Sequence, residues 1–177
     1  MQPRHVFLIV GESFGNWPFL PKYKYLGLVD NMLSLQNSAD AAHIATMLPH
    51  GSGTISAVNG LVSGIPDMGL YENYQANSFN SKYATGIGYI MKQLGYKTVF
   101  WYGGFSGWQN IGKFTKAQSF DEFHCADEFS DDSGNAWGCS DAALFKQIEA
   151  YMSKEKEQEK DFHKVLTTTN HTPYSNN

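Results

Sequence analysis

Three polar residues of this 177-residue chain follow apolar runs at comparable places: Glu12, Thr54 and His171. A threonine hydroxyl is a poor nucleophile at neutral pH, but coordination to a divalent metal favours its alkoxide. Glu12 would supply a carboxylate ligand for a hard cation, and a helix starting at Thr54 would stabilise an alkoxide or a bound phosphate. The three residue types therefore indicate metal-assisted chemistry at a threonine.

Each of these residues also has a simpler interpretation. Thr54 could be the N-cap of the helix that follows it, which the pattern by itself favours. Glu12 could be a surface carboxylate and His171 a loop histidine without a chemical role. The spacing alone leaves both interpretations open.

The elements around these residues alternate between strands and helices, which predicts an α/β fold with a mainly parallel sheet. Buried parallel strands are predicted from apolar runs, and helices from apolar spacing that ends at glycine or begins at a capping serine. Strands are expected at 5–10, 42–48, 96–102 and 162–169, helices at 54–63, 83–94 and 140–152, and a loop at 121–132. Parallel strands place their carboxyl ends at one edge, so Glu12, Thr54 and His171 are expected to meet there.

Composition excludes several classes of function. The net charge is −4, with 13 Lys and Arg against 17 acidic residues, so there is no basic surface for nucleic acid. No apolar run reaches the 18 residues or so that a membrane span needs, and the start lacks the layout of a signal peptide. We expect a single domain over residues 1–177, with any targeting segment outside it.

Two cysteines, Cys125 and Cys139, lie close together in one irregular acidic stretch. They could form a local disulfide in an oxidising compartment or remain two unpaired thiols. A zinc site at these cysteines is not expected, because neither their spacing nor nearby histidines supply four ligands.

Four motifs in order resemble the lipoteichoic acid synthase type of phosphoglycerol transferase, in the sulfatase branch of the alkaline phosphatase superfamily. The motifs are Gly11-Glu12-Ser13-Phe14-Gly15, Gly51-Ser52-Gly53-Thr54-Ile55-Ser56, Tyr102-Gly103-Gly104 with Trp108-Gln109-Asn110, and Asn170-His171-Thr172-Pro173-Tyr174. The resemblance implies a three-layer sandwich, a mainly parallel sheet flanked by helices. It also implies that residues 1–177 are the N-terminal portion of a sulfatase-like catalytic domain.

The resemblance assigns roles to individual residues. Glu12 would be a metal ligand, and Thr54 both a ligand and the nucleophile. His171 would contact the phosphate or the leaving group, and Trp108 would shape the substrate pocket. The implied metal is Mn²⁺ or Mg²⁺, with Zn²⁺ or Ca²⁺ as alternatives.

The chain departs from the family pattern at two substrate-binding positions. Tyr102 replaces a histidine and Asn110 replaces an arginine, and an amide cannot reproduce the charge or the bidentate grip of a guanidinium on phosphate. The substrate therefore need not be polyglycerol phosphate. Trp101, Tyr102 and Trp108 would suit stacking on a sugar ring.

The Asp-His pair that completes the metal site in this family lies beyond the fourth motif and has no counterpart in the chain. Two protein ligands are too few to hold a catalytic divalent metal firmly, so we expect the chain alone to bind metal weakly and to be inactive. A sheet without its last strands would leave an exposed edge, which favours a homodimer.

The predicted function is metal-dependent transfer of phosphoglycerol, or of a related phosphodiester group, through a phospho-threonine. A phospholipid or other phosphodiester would be the donor, and a glycan or polyol the acceptor. The resemblance implies a membrane-anchored parent acting on the extracytoplasmic face of a bacterial membrane, where a Cys125–Cys139 disulfide is permitted. The alternatives are a hydrolytic sulfatase or phosphodiesterase, and a non-catalytic module that binds envelope glycans.

Overall fold

The computed structural model describes residues 2–44, 46–129, 134–154 and 158–172. Its sheet has four parallel strands in the order β1-β4-β2-β3. The strands are β1 His5–Val10, β2 Lys97–Tyr102, β3 Glu122–Cys125 and β4 Asp161–Leu166. The α-helices are α1 Asp30–Gln36, α2 Thr54–Ser63, α3 Ala76–Asn80, α4 Ile87–Gln93, α5 Ile111–Ala117 and α6 Asp141–Met152. Short 3₁₀ helices cover Trp17–Phe19, Pro21–Leu26, Glu72–Tyr74, Trp108–Asn110 and Ala126–Glu128.

Two apolar cores lie on the two faces of the sheet. Phe100, Phe162 and Leu166 pack on one face against Val58 of α2 and Phe114 of α5. Trp101 and Val165 face the other way and pack against the α6 residues Leu144 and Ile148. Side chains alternate along a strand, so β2 and β4 contribute to both cores. The predicted α/β fold with helices on both sides of a mainly parallel sheet is confirmed.

The chain divides into two compact units. The first contains the sheet and comprises residues 1–12 and 50–177. The second, residues 13–49, consists of α1 and two 3₁₀ helices. The prediction of a single catalytic domain over residues 1–177 stays a prediction.

Two predicted elements are wrong. The described residues of 42–48 form no strand, and Ile44, Met47 and Leu48 are exposed. An apolar run forms a strand only where it finds a neighbour to pair with. Within the predicted loop 121–132, Glu122–Cys125 instead forms the edge strand β3, paired with β2.

No helix among the described residues has both the length and the apolar character required to cross a bilayer.

Candidate active site

Glu12 is placed at the carboxyl edge of the sheet by the ends of β1 and β4. Thr167, the residue after β4, donates its backbone N–H to the Val10 carbonyl oxygen at 3.1 Å. The Glu12 backbone N–H then donates to the Thr167 hydroxyl oxygen at 3.2 Å. These bonds fix the backbone of Glu12 directly beyond the parallel pair, where open α/β sheets place their ligands.

Thr54 is the first residue of α2, and its side chain contacts Glu12. The Thr54 hydroxyl donates to Glu12 Oε1 at 2.7 Å, across 42 residues of sequence. The N-cap is Gly53, and no side-chain capping bond is present there. The interpretation of Thr54 as a helix cap is therefore wrong, because its hydroxyl donates to the Glu12 carboxylate and accepts no capping bond from the backbone of α2.

The loop after β4 carries His171 and is anchored by Asp141 at the start of α6. Asp141 Oδ1 accepts the backbone N–H groups of Thr168 and Thr169 at 3.0 and 3.1 Å. In return, the Asp141 backbone N–H donates to the Thr169 hydroxyl at 2.8 Å. The turn then closes with a bond from the His171 N–H to the Thr168 carbonyl oxygen at 3.1 Å. The position of His171 is thus set by reciprocal hydrogen bonds between the loop and α6.

A small cavity of about 50 Å³ brings together most of the predicted site residues. Its lining consists of Glu12, Thr54, Tyr102, Trp108, Trp137, Leu166, Thr167, Thr168 and His171. The cavity therefore brings together residues of all four motifs, and two tryptophans form part of its wall. Pro173 and Tyr174 of the fourth motif lie outside the described residues.

Tyr102 lines this cavity and carries a hydroxyl that stays protonated. Burial raises the pKa of the Tyr102 hydroxyl, and the charges of Glu12 and Cys125 raise it further. The ring contacts Trp108, with centroids 5.7 Å apart. Tyr102 is therefore a neutral donor at the position where the resembling family has a histidine.

The short 3₁₀ helix Trp108–Asn110 is tied to α2 through the side-chain amides of Asn59 and Asn73. Asn59 of α2 donates from Nδ2 to Asn73 Oδ1 at 2.8 Å, and Asn73 donates from Nδ2 to the Gln109 carbonyl oxygen at 2.7 Å. Gln109 and Asn110 both adopt left-handed backbone conformations, with φ of 52° and 54°. These two residues form the sharp turn between Trp108 and α5. Asn110 is the N-cap residue of α5 and does not line the cavity.

Trp101 is not brought to the site. It alternates with Tyr102 along β2, so it points to the opposite face of the sheet, where it is 2% exposed. Its indole N–H donates to His163 Nδ1 at 3.1 Å. A residue buried in that core cannot stack on a substrate at the Thr54 site.

No disulfide joins Cys125 to Cys139 in the structure. Cys125 belongs to the core that contains Phe100, whereas Cys139 belongs to the core on the other face. Burial raises the pKa of the Cys125 thiol to about 11, so it remains protonated. Of the two alternatives that the sequence left open, the structure therefore shows the one without a Cys125–Cys139 disulfide.

Sequence reasoning missed Trp137, Thr167 and Asp141. Trp137 lies in a turn, and its partners are 34 and 35 residues further along the chain. The only signal in the sequence for Trp137 is that a tryptophan is unusual in a loop of Asn, Gly and Ser residues. Its partner could not be identified before the fold was known.

A second cluster of metal-ligand residue types among the described residues is His5, Asp161 and His163, whose ligand atoms lie within 4.8 Å of one another. The Trp101 indole can only donate, so His163 Nδ1 accepts and its Nε2 carries the proton. A metal-binding imidazole normally shows the reverse arrangement, donating from the nitrogen that does not bind the metal. We therefore assign this cluster to the core and not to a metal site.

Glu12 and Thr54 fit a hard divalent cation as part of its ligand set. Their oxygen atoms lie 2.7 Å apart, and both residues are partly accessible at the cavity. Carboxylate and hydroxyl oxygens are the donor types that Mg²⁺, Mn²⁺ and Ca²⁺ prefer. A catalytic ion would still need further ligands from water, substrate or other protein groups.

The fold and the site together define an α/β protein with a hydroxyl-carboxylate pair at the carboxyl edge of a parallel sheet. A family model described as Sulfatase matches residues 4–177, and the chain belongs to the sulfatase family. A search of curated proteins gave no significant match.

Several solved structures share the fold. A protein in the alkaline phosphatase superfamily from Vibrio parahaemolyticus superposes with a TM-score of 0.80 at 22% identity, covering 97% of this chain and 42% of that one. The C-terminal periplasmic domain of EcEptC from Escherichia coli, a complex with Zn, gives 0.64 at 16% identity, covering 98% and 45%. The lipoteichoic acid synthase LtaP from Listeria monocytogenes gives 0.55 at 18% identity, covering 70% and 30%. The chain thus spans less than half the length of each of these structures.

Proposed function

We propose that this chain carries the nucleophile and part of the metal site of a transferase for phosphate-linked groups, acting on phosphoglycerol or a related phosphodiester. The hydrogen bond from the Thr54 hydroxyl to Glu12 Oε1 is the observation that carries the proposal. It joins a hydroxyl to a carboxylate at the first residue of a ten-residue helix, where the helix N-terminus favours negative charge. Membership of the sulfatase family and the fold shared with LtaP and EcEptC support the same class of chemistry.

Glu12 and Thr54 would hold the divalent metal, which when bound would lower the pKa of a coordinated hydroxyl and neutralise phosphoryl charge. Mn²⁺ or Mg²⁺ suits the two oxygen ligands. Zn²⁺ is a further candidate, since the EcEptC structure is a complex with Zn.

The reaction has two halves. In the first, the Thr54 hydroxyl gives its proton to water and its oxygen forms a bond to phosphorus. The bond from phosphorus to the donor alcohol breaks, and doubly protonated His171 gives that alcohol a proton. In the second, an acceptor hydroxyl gives its proton to His171 and attacks phosphorus. The bond from phosphorus to Thr54 breaks, and the Thr54 oxygen regains a proton from water. The donor would be a phospholipid or other phosphodiester, and the acceptor a glycan or polyol.

The residues that line the cavity favour a substrate with an uncharged polar portion. Tyr102 offers a neutral hydroxyl, and Trp108 and Trp137 offer aromatic surfaces. Such surfaces suit the carbon and hydroxyl groups of glycerol or a sugar better than a second phosphate. We place the reaction outside the cytoplasm, consistent with the periplasmic domain of EcEptC.

The test is the detection of modified Thr54 by mass spectrometry. The intact protein is incubated with Mn²⁺ and a short-chain phosphatidylglycerol, and peptides containing Thr54 are examined for added glycerol phosphate. Thr54→Ala should abolish the adduct while leaving the fold intact, and Thr54→Ser should retain a hydroxyl that accepts it. Thr46→Ala, at an exposed threonine outside the sheet unit, is the matched control.

The rival functions give different results in the same experiment. A hydrolase would release glycerol phosphate to water at a rate that acceptor alcohols do not change. A glycan-binding module would give no adduct in the wild-type protein under any metal. Transfer that survives Thr54→Ala would disprove the assignment of the nucleophile.

A further inference from the structure

The Thr172 carbonyl oxygen accepts two side-chain hydrogen bonds. Trp137 Nε1 donates to it at 2.9 Å, and His171 Nδ1 lies 2.6 Å from it. A carbonyl oxygen only accepts, so His171 Nδ1 must carry a proton. In the neutral imidazole, the lone pair is then on Nε2, which is the nitrogen left to exchange a proton with a substrate.

The backbone around Trp137 is anchored to the end of β2, independently of the His171 loop. Its backbone N–H donates to Asn135 Oδ1 at 2.8 Å within a tight turn. The next two residues join that turn to the end of β2: Gly138 bridges with Gly104, and the Cys139 N–H donates to the Gly103 carbonyl oxygen at 2.8 Å. The Trp137 indole therefore has a fixed position, and the loop that carries His171 packs against it.

The Trp137 and His171 rings are also in direct contact. Their centroids are 4.1 Å apart with an interplanar angle of 47°. This contact restricts rotation of the imidazole, while the shared carbonyl fixes which nitrogen donates. Both rings line the cavity that contains Thr54.

We propose that Trp137 is a positioning residue that holds His171 as the Nδ1–H tautomer, with Nε2 reserved for the proton of the leaving or attacking alcohol. The inference deepens the proposed function and rests on it for the chemical role of His171. The tautomer and the ring contact are properties of the folded protein and can be measured without turnover.

The experiment uses nitrogen-15 imidazole spectra of the protein, which distinguish the two neutral tautomers. The wild-type spectrum should show His171 protonated on Nδ1. Trp137→Ala removes both the ring surface and the indole donor and should give a mixture of tautomers. Trp137→Phe keeps an aromatic ring but removes the indole donor. Its His171 signal should therefore lie between those of the wild type and Trp137→Ala. Trp17→Phe and Trp17→Ala, at a half-exposed tryptophan in the other unit, are the matched controls and should leave the His171 signal unchanged.

Kinetics provide the second measurement. In the intact enzyme, Trp137→Ala should lower kcat for transfer by roughly tenfold to a hundredfold with KM changed much less, because a misplaced proton donor affects the transition state more than binding. A His171 signal that is identical in wild type and in both Trp137 variants would overturn the proposal. If the tautomer shifts as expected but Thr54 is never modified, Trp137 retains its positioning role and the proposed transfer reaction fails.

Discussion

Lys164 is the residue whose chemistry fits its surroundings least. It lies on the central strand β4, fully buried, and its ammonium nitrogen is 4.6 Å from the centre of the Phe100 ring. Within the described part of the chain, that nitrogen has no hydrogen-bond partner. Burial lowers the pKa of Lys164 to about 7 from 10.5. The buried amine is therefore a cost to folding.

Replacing Lys164 with Met should stabilise the protein. Met is an unbranched side chain of similar length without the unsatisfied amine, so the free energy of unfolding at pH 7 should rise by about 1–3 kcal/mol. Urea unfolding measures the change. Lys146→Met, on the exposed side of α6, is the control and should change stability little.

The same lysine predicts how stability depends on pH. Between about pH 7 and 10.5 the unfolded chain binds the Lys164 proton and the folded protein does not. Stability should therefore rise with pH across this interval, and the rise should be smaller in Lys164→Met. A Lys164→Met protein with the wild-type pH profile would show that the amine is solvated in solution.

At the scale of elements, the turn that carries Trp137 depends on glycine at position 138. Gly138 has φ of 152°, and a Cβ there would lie 1.9 Å from the Gly103 carbonyl oxygen. No side chain can be accommodated without moving the turn away from β2.

Gly138→Ala should therefore detach the turn and lower the free energy of unfolding by about 1–3 kcal/mol. It should also change the nitrogen-15 signal of His171, because Trp137 would lose its fixed position. Gly107→Ala is the matched control, since a Cβ there meets nothing within 4 Å and the backbone is helical. Equal stability of the two variants would contradict the close packing at Gly138.

The sequence predicted some elements well because their signals are local. Local sequence is enough to define three of them: the apolar run 5–10, the α2 segment after the glycine-rich turn, and the serine cap of α6. As that cap predicts, the Ser140 hydroxyl accepts a hydrogen bond from the Ala143 N–H. Strand β3 was missed because it is only four residues long and gains its structure by pairing with β2. For Thr54 and Glu12, the sequence predicted only that both residues lie at the same edge of the sheet. It could not predict their hydrogen bond, because no local sequence pattern marks a contact across 42 residues.

At the scale of the whole molecule, β1 is an edge strand among the described strands, hydrogen-bonded to β4 on one side. Phe7 and Ile9 lie on one face of this strand and are 41% and 53% exposed. An edge with exposed apolar residues favours pairing with another chain.

We expect the 177-residue chain to self-associate through β1, and Ile9→Lys to shift it toward monomer. A charged side chain on an edge strand disfavours edge-to-edge pairing. Sedimentation velocity at several concentrations measures the change. Leu70→Lys, at an exposed leucine outside the sheet, is the control, and an equal effect of both variants would argue against β1 as the interface.

The pairing of Glu12 with Thr54 also has a consequence for chain length. The unit of residues 13–49 lies in sequence between these two partners, so their contact closes a loop. The entropy cost of closing a loop grows only with the logarithm of its length, by about 0.6 kcal/mol for each doubling. Segments of quite different size can therefore be exchanged at this point at little thermodynamic cost. A change in the length of the stretch between Glu12 and Thr54 should therefore cost their contact little.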